Sequence, residues 1–183
     1  MIVGLGRLAA AMLLLAAAAV LAPATAEAPP FRGAIGEFTP AAERRPAPTL
    51  PFLDGAGREV TFADFRGKLL VVNLWATWCA PCVKEMPALD RLRRKLEGTN
   101  AMVLALSSDR GGIRQVEPFL KKHGVEGLGV WVDPKGAIPR AFSARGLPTT
   151  ILIDWDGREI GRLEGDAEWD SDAALALIRH HLR

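Results

Sequence analysis

The chain has 183 residues, 49% of them hydrophobic, with 23 Lys+Arg against 21 Asp+Glu and a net charge of +2; it can bury a core as one domain of ordinary size and is not a disordered chain. So even a balance, with no Lys/Arg-rich run, gives no sign of a nucleic-acid or anionic-membrane partner. Two cysteines and three histidines exclude a disulfide-stapled mini-protein and a closed zinc site of four cysteines, or of two cysteines and two histidines at the usual spacing.

Residues 8–22 (LAAAMLLLAAAAVLA) carry no charge, Arg7 precedes them, and Ala24-Thr25-Ala26 follows. A basic start, an apolar run and small residues make residues 1–26 a secretory signal peptide. Counted from Met1, with Arg7 snorkelling, the run also reaches the roughly 20 residues of a membrane span, so an uncleaved anchor is the alternative. No cysteine follows the cleavage site, so a lipoprotein is not expected. Either fate puts the bulk of the chain outside the cytoplasm, in the periplasm or its equivalent, where disulfides form. Seven of the thirteen prolines fall between Pro23 and Pro51. Residues 27–49 therefore read as an extended linker, part of which, about 31–38, can pack on the domain edge.

The folded domain is expected over residues 50–183. Asp54-Gly55-Ala56-Gly57 joins two short apolar pieces, 50–53 and 59–62, as a hairpin. Residues 63–68 read as a turn of helix ending at Gly67. Residues 69–75 (LLVVNLW) are nearly continuous apolar, as in a strand buried on both faces. Residues 81–97 have helical periodicity through Val83, Met86, Leu89, Leu92 and Leu96, and Gly98 stops the helix. A strand at 101–106 and a helix at 112–123 follow. Residues 129–132 form a short strand closed by Asp133-Pro134, before a helix at about 135–143. Strands at 150–154 and 159–163 surround Asp156-Gly157, a hairpin signal. A helix at 171–181 ends the chain, capped by Ser171 or Asp170. Strand-helix-strand alternation demands parallel pairs and the late hairpin an antiparallel edge, so the fold class is an α/β sandwich with a mixed sheet.

The chemistry sits at the first strand-to-helix junction, Trp75-Ala76-Thr77-Trp78-Cys79-Ala80-Pro81-Cys82. Two cysteines two residues apart can close a disulfide within one helical turn. Pro81 fits a first turn, whose N–H groups have no helical partner. Cys79 falls at the helix N-terminus, where the dipole and free N–H groups favour a thiolate, the attacking species in disulfide exchange. Cys82 lies one turn further in, so access assigns attack to Cys79 and resolution to Cys82. Half a metal site and a structural bond are the alternatives. The first lacks a second CxxC, and a bond closing four residues would stabilise little. Glu85 continues the series 79, 82, 85, which steps by 300° at about 100° per residue and so drifts slowly around one helix face. A carboxylate there could move protons between the thiols and raise their pKa values. The alternative is a surface glutamate paired with Lys84 or with charges near Arg91. Trp75 and Trp78 flank the site as walls, Trp131, Trp155 and Trp169 read as packing, and His123, His180 and His181 as helix-end residues rather than ligands.

With Arg145-Gly146-Leu147-Pro148-Thr149-Thr150 far along the chain, WCxPC resembles the thioredoxin superfamily. The longer run Trp78-Cys79-Ala80-Pro81-Cys82-Val83-Lys84-Glu85-Met86-Pro87 is similar to the WCxPCxxExP of exported TlpA/ResA-like thioredoxins, which include reductases of cytochrome c maturation. Asp133-Pro134 and Gly165-x-x-x-Trp169 add to it, over residues 50–183. The resemblance implies a thioredoxin fold: a central mixed sheet flanked by helices, an N-terminal β-hairpin extension, and an insertion after the second core strand, for which 111–135 is the counterpart. It implies a cis Pro148 packed against a redox-active Cys79–Cys82 disulfide, and a backbone at Leu147 free to pair with a substrate strand. Trp78, Pro81, Leu147, Pro148 and Thr149 are then the substrate-binding residues, with Cys79, Cys82 and Glu85 catalytic. The chain departs from thioredoxins proper at Asn73, where those carry a buried Asp; Asn cannot take a proton, and Glu85 is the natural substitute. Ala80-Pro81 lacks the charged imidazole common in oxidising exchangers, which favours a reductant.

The expected activity is a thiol:disulfide oxidoreductase, a reductase of cysteine pairs in exported proteins during cytochrome c maturation or copper-oxidase assembly. A membrane thiol-disulfide electron donor of the DsbD/CcdA kind would re-reduce it. A monomer is expected, with no cofactor beyond its own disulfide, no metal and no nucleic acid. A Cu(I)-binding metallochaperone using the CxxC and a disulfide-forming oxidase are the alternatives.

Overall fold

The computed structural model describes residues 29–33 and 37–182; the expected export segment lies outside them. The strands are β1 (Thr39–Pro40), β2 (Phe52–Asp54), β3 (Glu59–Val60), β4 (Leu69–Trp75), β5 (Ala101–Ser107), β6 (Trp131–Val132), β7 (Thr149–Ile153) and β8 (Glu159–Glu164). The helices are α1 (Ala80–Lys95), α2 (Ile113–Lys122), α3 (Ala137–Ala141) and α4 (Asp172–His180). They build one mixed sheet of order β1-β8-β7-β4-β5-β6-β2-β3. β4 pairs parallel with β5 and antiparallel with β7, and β6 pairs parallel with β5. This is the thioredoxin arrangement, an α/β sheet covered on both faces.

Alternation along β4 decides which side chains meet which helices. Leu69, Val71 and Trp75 enter a core with Met86, Leu89 and Leu92 of α1, Val116 of α2 and Leu177 of α4. Leu70, Val72 and Leu74 enter the opposite core, with Phe62, with Ile138 of α3 and with Phe142 just beyond it. Successive strand side chains point to opposite faces, so Asn73 falls on the α1 side. Thr150, beside Leu152 in the next register, does the same, and the two residues are paired across β4 and β7. A polar pair is thus set into an otherwise apolar surface beneath α1.

Both expected hairpins form, by one turn chemistry. Asp54 Oδ1 accepts from Ala56 N and Arg58 N, each at 2.9 Å. Asp154 Oδ1 accepts from Asp156 N at 3.0 Å and Arg158 N at 2.9 Å. Each turn reverses at a glycine in the left-handed region, Gly57 at φ 78° and Gly157 at φ 79°, which a side chain would strain. Of the two cap candidates for α4, Ser171 is the cap, accepting from Ala174 N at 3.2 Å. Asp170 is instead held by Arg91 at 2.6 Å.

The proline-rich stretch packs more closely than an extended spacer: Phe31 and Phe38 dock on the domain as expected of that part, and the residues after them join the sheet, which was not expected. From Thr39 to Pro46 it lies along the sheet edge. β1 pairs antiparallel with β8, Ala41 N donates to Ile160 O at 2.8 Å, and Pro46 bridges Arg158. Prolines are tolerated because an edge strand needs few of its own N–H donors, while Phe31 and Phe38 anchor the segment in the core. The domain therefore begins well before residue 50. The 111–135 stretch is also integral, since its β6 joins β5 to the hairpin strand β2. Among the described residues no helix is long and apolar enough to cross a membrane.

Candidate active site

At the end of β4 the chain turns over Ala76, whose carbonyl accepts from Cys79 N at 3.1 Å. Cys79 is the N-cap of α1, and its Sγ accepts from Cys82 N at 3.3 Å. The cysteines are joined, S–S 2.02 Å with Cα atoms 5.3 Å apart. Cys79 keeps 6% exposure and Cys82 none, so an incoming thiol or disulfide meets Cys79 first. Pro81, in the first turn, removes an N–H that has no helical acceptor.

A network that the sequence did not suggest fixes this loop. Asp109, buried just past β5, accepts from Thr77 N at 2.8 Å, Thr77 Oγ1 at 2.7 Å, Ser107 Oγ at 2.7 Å and Gln115 Nε2 at 2.8 Å. One carboxylate thereby ties the residue two before Cys79 to β5 and to α2. Only the position of Asp109 at the C-terminal end of a core strand hinted at it, and that position is common.

Opposite lies the turn before β7. The Leu147–Pro148 bond is cis, Pro148 is buried, and its carbonyl accepts from Gly165 N at 2.9 Å. Leu147 packs against the cluster that holds Cys79 and Cys82. Among the described residues the Leu147 amide and carbonyl have no hydrogen-bond partner. Trp78, 71% exposed, and the exposed Pro81 complete an open rim. Thr149 is not on the exposed rim: it is buried, and its hydroxyl donates to Gly146 O at 2.8 Å, so its side chain supports the turn.

Glu85 lies under α1, only 3% exposed. Its Oε1 accepts from Asn73 Nδ2 at 2.8 Å; its Oε2 accepts from Ala167 N and Trp169 Nε1, each at 2.9 Å. Asn73 Nδ2 also donates to Thr150 Oγ1 at 2.9 Å. Burial pushes the Glu85 carboxyl from 4.5 up to about 7, against the three donors, with the Asp166 charge adding to the rise. The surface ion-pair alternative is overturned, because Lys84 pairs with Asp166 at 3.2 Å and Arg91 with Asp170 at 2.6 Å. Asn73 cannot hold a proton, but it orients the group that can. Trp169, expected only to pack, also holds Glu85 through its indole. Its signal in the sequence was weak, whereas Asn73 stood out as the one polar residue in LLVVNLW.

Trp75 is buried against Phe119, ring centroids 5.6 Å apart, and does not wall the rim. Met86, the soft ligand nearest the cysteines in sequence, is buried in the core. Among the described residues no cluster of three His, Cys, Asp or Glu could hold a metal ion.

Comparison with known proteins agrees with this geometry. The AhpC/TSA family matches residues 41–158, beginning inside the proline-rich stretch. The thiol-disulfide oxidoreductase ResA of Bacillus thuringiensis is 35% identical over 120 residues, 66% of this chain and 68% of its own. A structure from Chlorobium tepidum assigned as a thiol:disulfide interchange protein DsbE superposes at TM-score 0.69 with 28% identity, covering 77% of this chain and 98% of that one. The exposed lipoprotein thioredoxin of Streptococcus pneumoniae superposes at TM-score 0.61 with 25% identity, over 71% of this chain and 97% of its own.

Proposed function

The chain belongs to the AhpC/TSA family of the thioredoxin superfamily, and we propose that this thiol:disulfide oxidoreductase works outside the cytoplasm as a reductase of cysteine pairs in exported proteins. The observation that carries the reading is the asymmetric pair: a reachable Cys79 at a helix N-terminus and a fully buried Cys82 one turn in, with Glu85 held beneath the same helix.

In the reduced protein, the Cys79 thiolate attacks one sulfur of the target disulfide. The target S–S bond breaks, one target sulfur leaves as thiolate, and a mixed disulfide forms. Cys82 then attacks Cys79 Sγ, the second target sulfur leaves, and the Cys79–Cys82 disulfide seen here is the product. Two electrons pass to the target. Glu85, with its carboxyl near neutrality, takes the Cys82 proton as that thiol becomes the nucleophile. The backbone of Leu147, without a hydrogen-bond partner among the described residues, pairs with the target strand.

Targets of this chemistry are haem-attachment cysteines of apocytochrome c, or cysteines of a copper site in oxidase assembly. The next turnover requires a membrane dithiol donor of the DsbD/CcdA kind. The export signature of residues 1–26 supports the location.

Direction is tested by equilibrating the pair with glutathione. Ala80-Pro81 puts no cation between the sulfurs, so the reduction potential falls nearer that of thioredoxin, about −270 mV, than that of the oxidant DsbA, about −120 mV. A value at the DsbA end would make the protein a disulfide-forming oxidase. Stoichiometric, tight Cu(I) binding by the reduced protein without reductase activity would make it a metallochaperone.

A further inference from the structure

Both donors to Glu85 Oε2, the Ala167 amide and the Trp169 indole, come from one short loop after β8. The N-terminal arm grips that loop at two points. Phe31, 4% exposed, sets its ring on Trp169 with centroids 5.1 Å apart. Gly33 comes so near that a Cβ there would lie 2.8 Å from Asp166 O and 2.8 Å from Leu163 Cδ2, a distance no real Cβ tolerates, and Asp166 O is backbone and cannot swing aside. The arm is itself fixed: Phe38 N donates to Phe31 O at 2.7 Å, and β1 pairs with β8. Pro30–Gly33 also wall a groove of about 990 Å³ that reaches Glu85.

We propose that the proline-rich arm, through Phe31 and Gly33, is a positioning element of the redox site: it seats residues 166–169 on Glu85 and limits the water that reaches the carboxyl. The inference rests on the proton-carrying role given to Glu85. It also assigns work at the redox site to a part of the linker that was expected only to pack on the domain edge.

The charges around Glu85 make water the deciding factor. On α1, Lys84 is paired with Asp166 and Arg91 with Asp170. On the arm, Arg32 is paired with Glu37 at 2.8 Å. Glu168 lines the groove, and the sheet presents neutral Asn73 and Thr150. With those cations already matched, loosening the arm changes hydration and the two loop donors more than it changes net charge. Lost donors would raise the Glu85 pKa and admitted water would lower it. Burial is the largest cause of its present value, so hydration wins and the pKa falls toward 4.5.

The test uses the full chain and the pH dependence of the rate at which the reduced protein cleaves a peptide disulfide. Wild type, Glu85→Gln, Phe31→Ala, Phe31→Leu and Gly33→Ala are compared, with the Trp169 indole N–H followed by NMR as a check on the hydrogen bond. Wild type shows a step near neutrality that Glu85→Gln removes. Phe31→Ala and Gly33→Ala move that step down by about one pH unit or more and shift the indole signal, while Phe31→Leu, which keeps apolar cover, restores most of both. If Phe31→Ala does not fold, Gly33→Ala reads the same grip. A folded arm variant whose step stays in place, or moves up, overturns the inference and leaves the role of Glu85 intact. A wild-type profile without a step removed by Glu85→Gln overturns the role of Glu85, and that of the arm with it.

Discussion

Replacing Glu85 by Gln removes a titrating group while keeping its shape, and the structure fixes the sign and size of the result. The folded carboxyl titrates at about 7 against 4.5 when solvated. Between those values the unfolded chain has released the proton and the folded protein keeps it, so stability falls as pH rises through the window. About 2.5 units at 1.36 kcal/mol each gives about 3 kcal/mol. His181 acts in the opposite sense. Burial pushes its pKa from 6.5 down to about 4, so its contribution is present above 6.5 and lost as pH falls toward 4. The two windows overlap and act in opposite directions in wild type, so the total curve is a poor probe and the difference between proteins is a good one. Urea unfolding of both oxidised proteins from pH 4.5 to 8 isolates the Glu85 part. Wild type should lose about 3 kcal/mol relative to Glu85→Gln across that range. A difference that stays constant with pH would mean that Glu85 is already ionised when folded, and the proton-carrying role would have no basis.

Asn73→Asp puts a second carboxyl against Glu85, and like charges cannot both ionise at contact; the pH step in the disulfide-exchange rate should move upward, and an unmoved step would separate Asn73 from the proton path. Asp109→Ala strands Thr77, Ser107 and Gln115 together and should cost about 2–4 kcal/mol in urea unfolding, from several lost charge-assisted hydrogen bonds. A loss below about 0.5 kcal/mol, typical of an ordinary surface change, would show that the network does not hold the loop. Trp78→Ala removes most of the exposed apolar rim without touching the core. KM for a peptide disulfide should rise several-fold with unchanged thermal stability, and an unchanged KM would take Trp78 out of the binding surface.

Much of the architecture could be read in advance because the signals were local. LLVVNLW could only be a doubly covered strand, and Asp-x-x-Gly-Arg recurs at both hairpins since one turn geometry demands it. The cysteine pair follows from its position at a helix start, and the order of attack proposed for it rests on the same position. What escaped the reading depends on residues far apart in the chain. Trp169 and Ala167 reach Glu85 across more than eighty positions, and Asp109 reaches Thr77 across 32; no periodicity carries such contacts. The arm was read only in part: packing of about 31–38 on the domain edge was expected, and Phe31 and Phe38 are buried there, but the pairing of β1 with β8 was not expected. Its prolines exclude a helix but not an edge strand, and two phenylalanines among them were enough to dock it. Thr149 looked like part of a binding turn, yet its hydroxyl is needed by the backbone that makes the turn.

The exchange chemistry is decided by trapping. Reduced Cys82→Ala is mixed with a peptide disulfide, and the adduct is located by mass spectrometry; one covalent adduct should accumulate on Cys79, while Cys79→Ala under the same conditions gives little or none. Equal adduct formation through Cys82 in the Cys79→Ala protein, or no adduct on Cys79 at all, would contradict the division of labour between the two sulfurs.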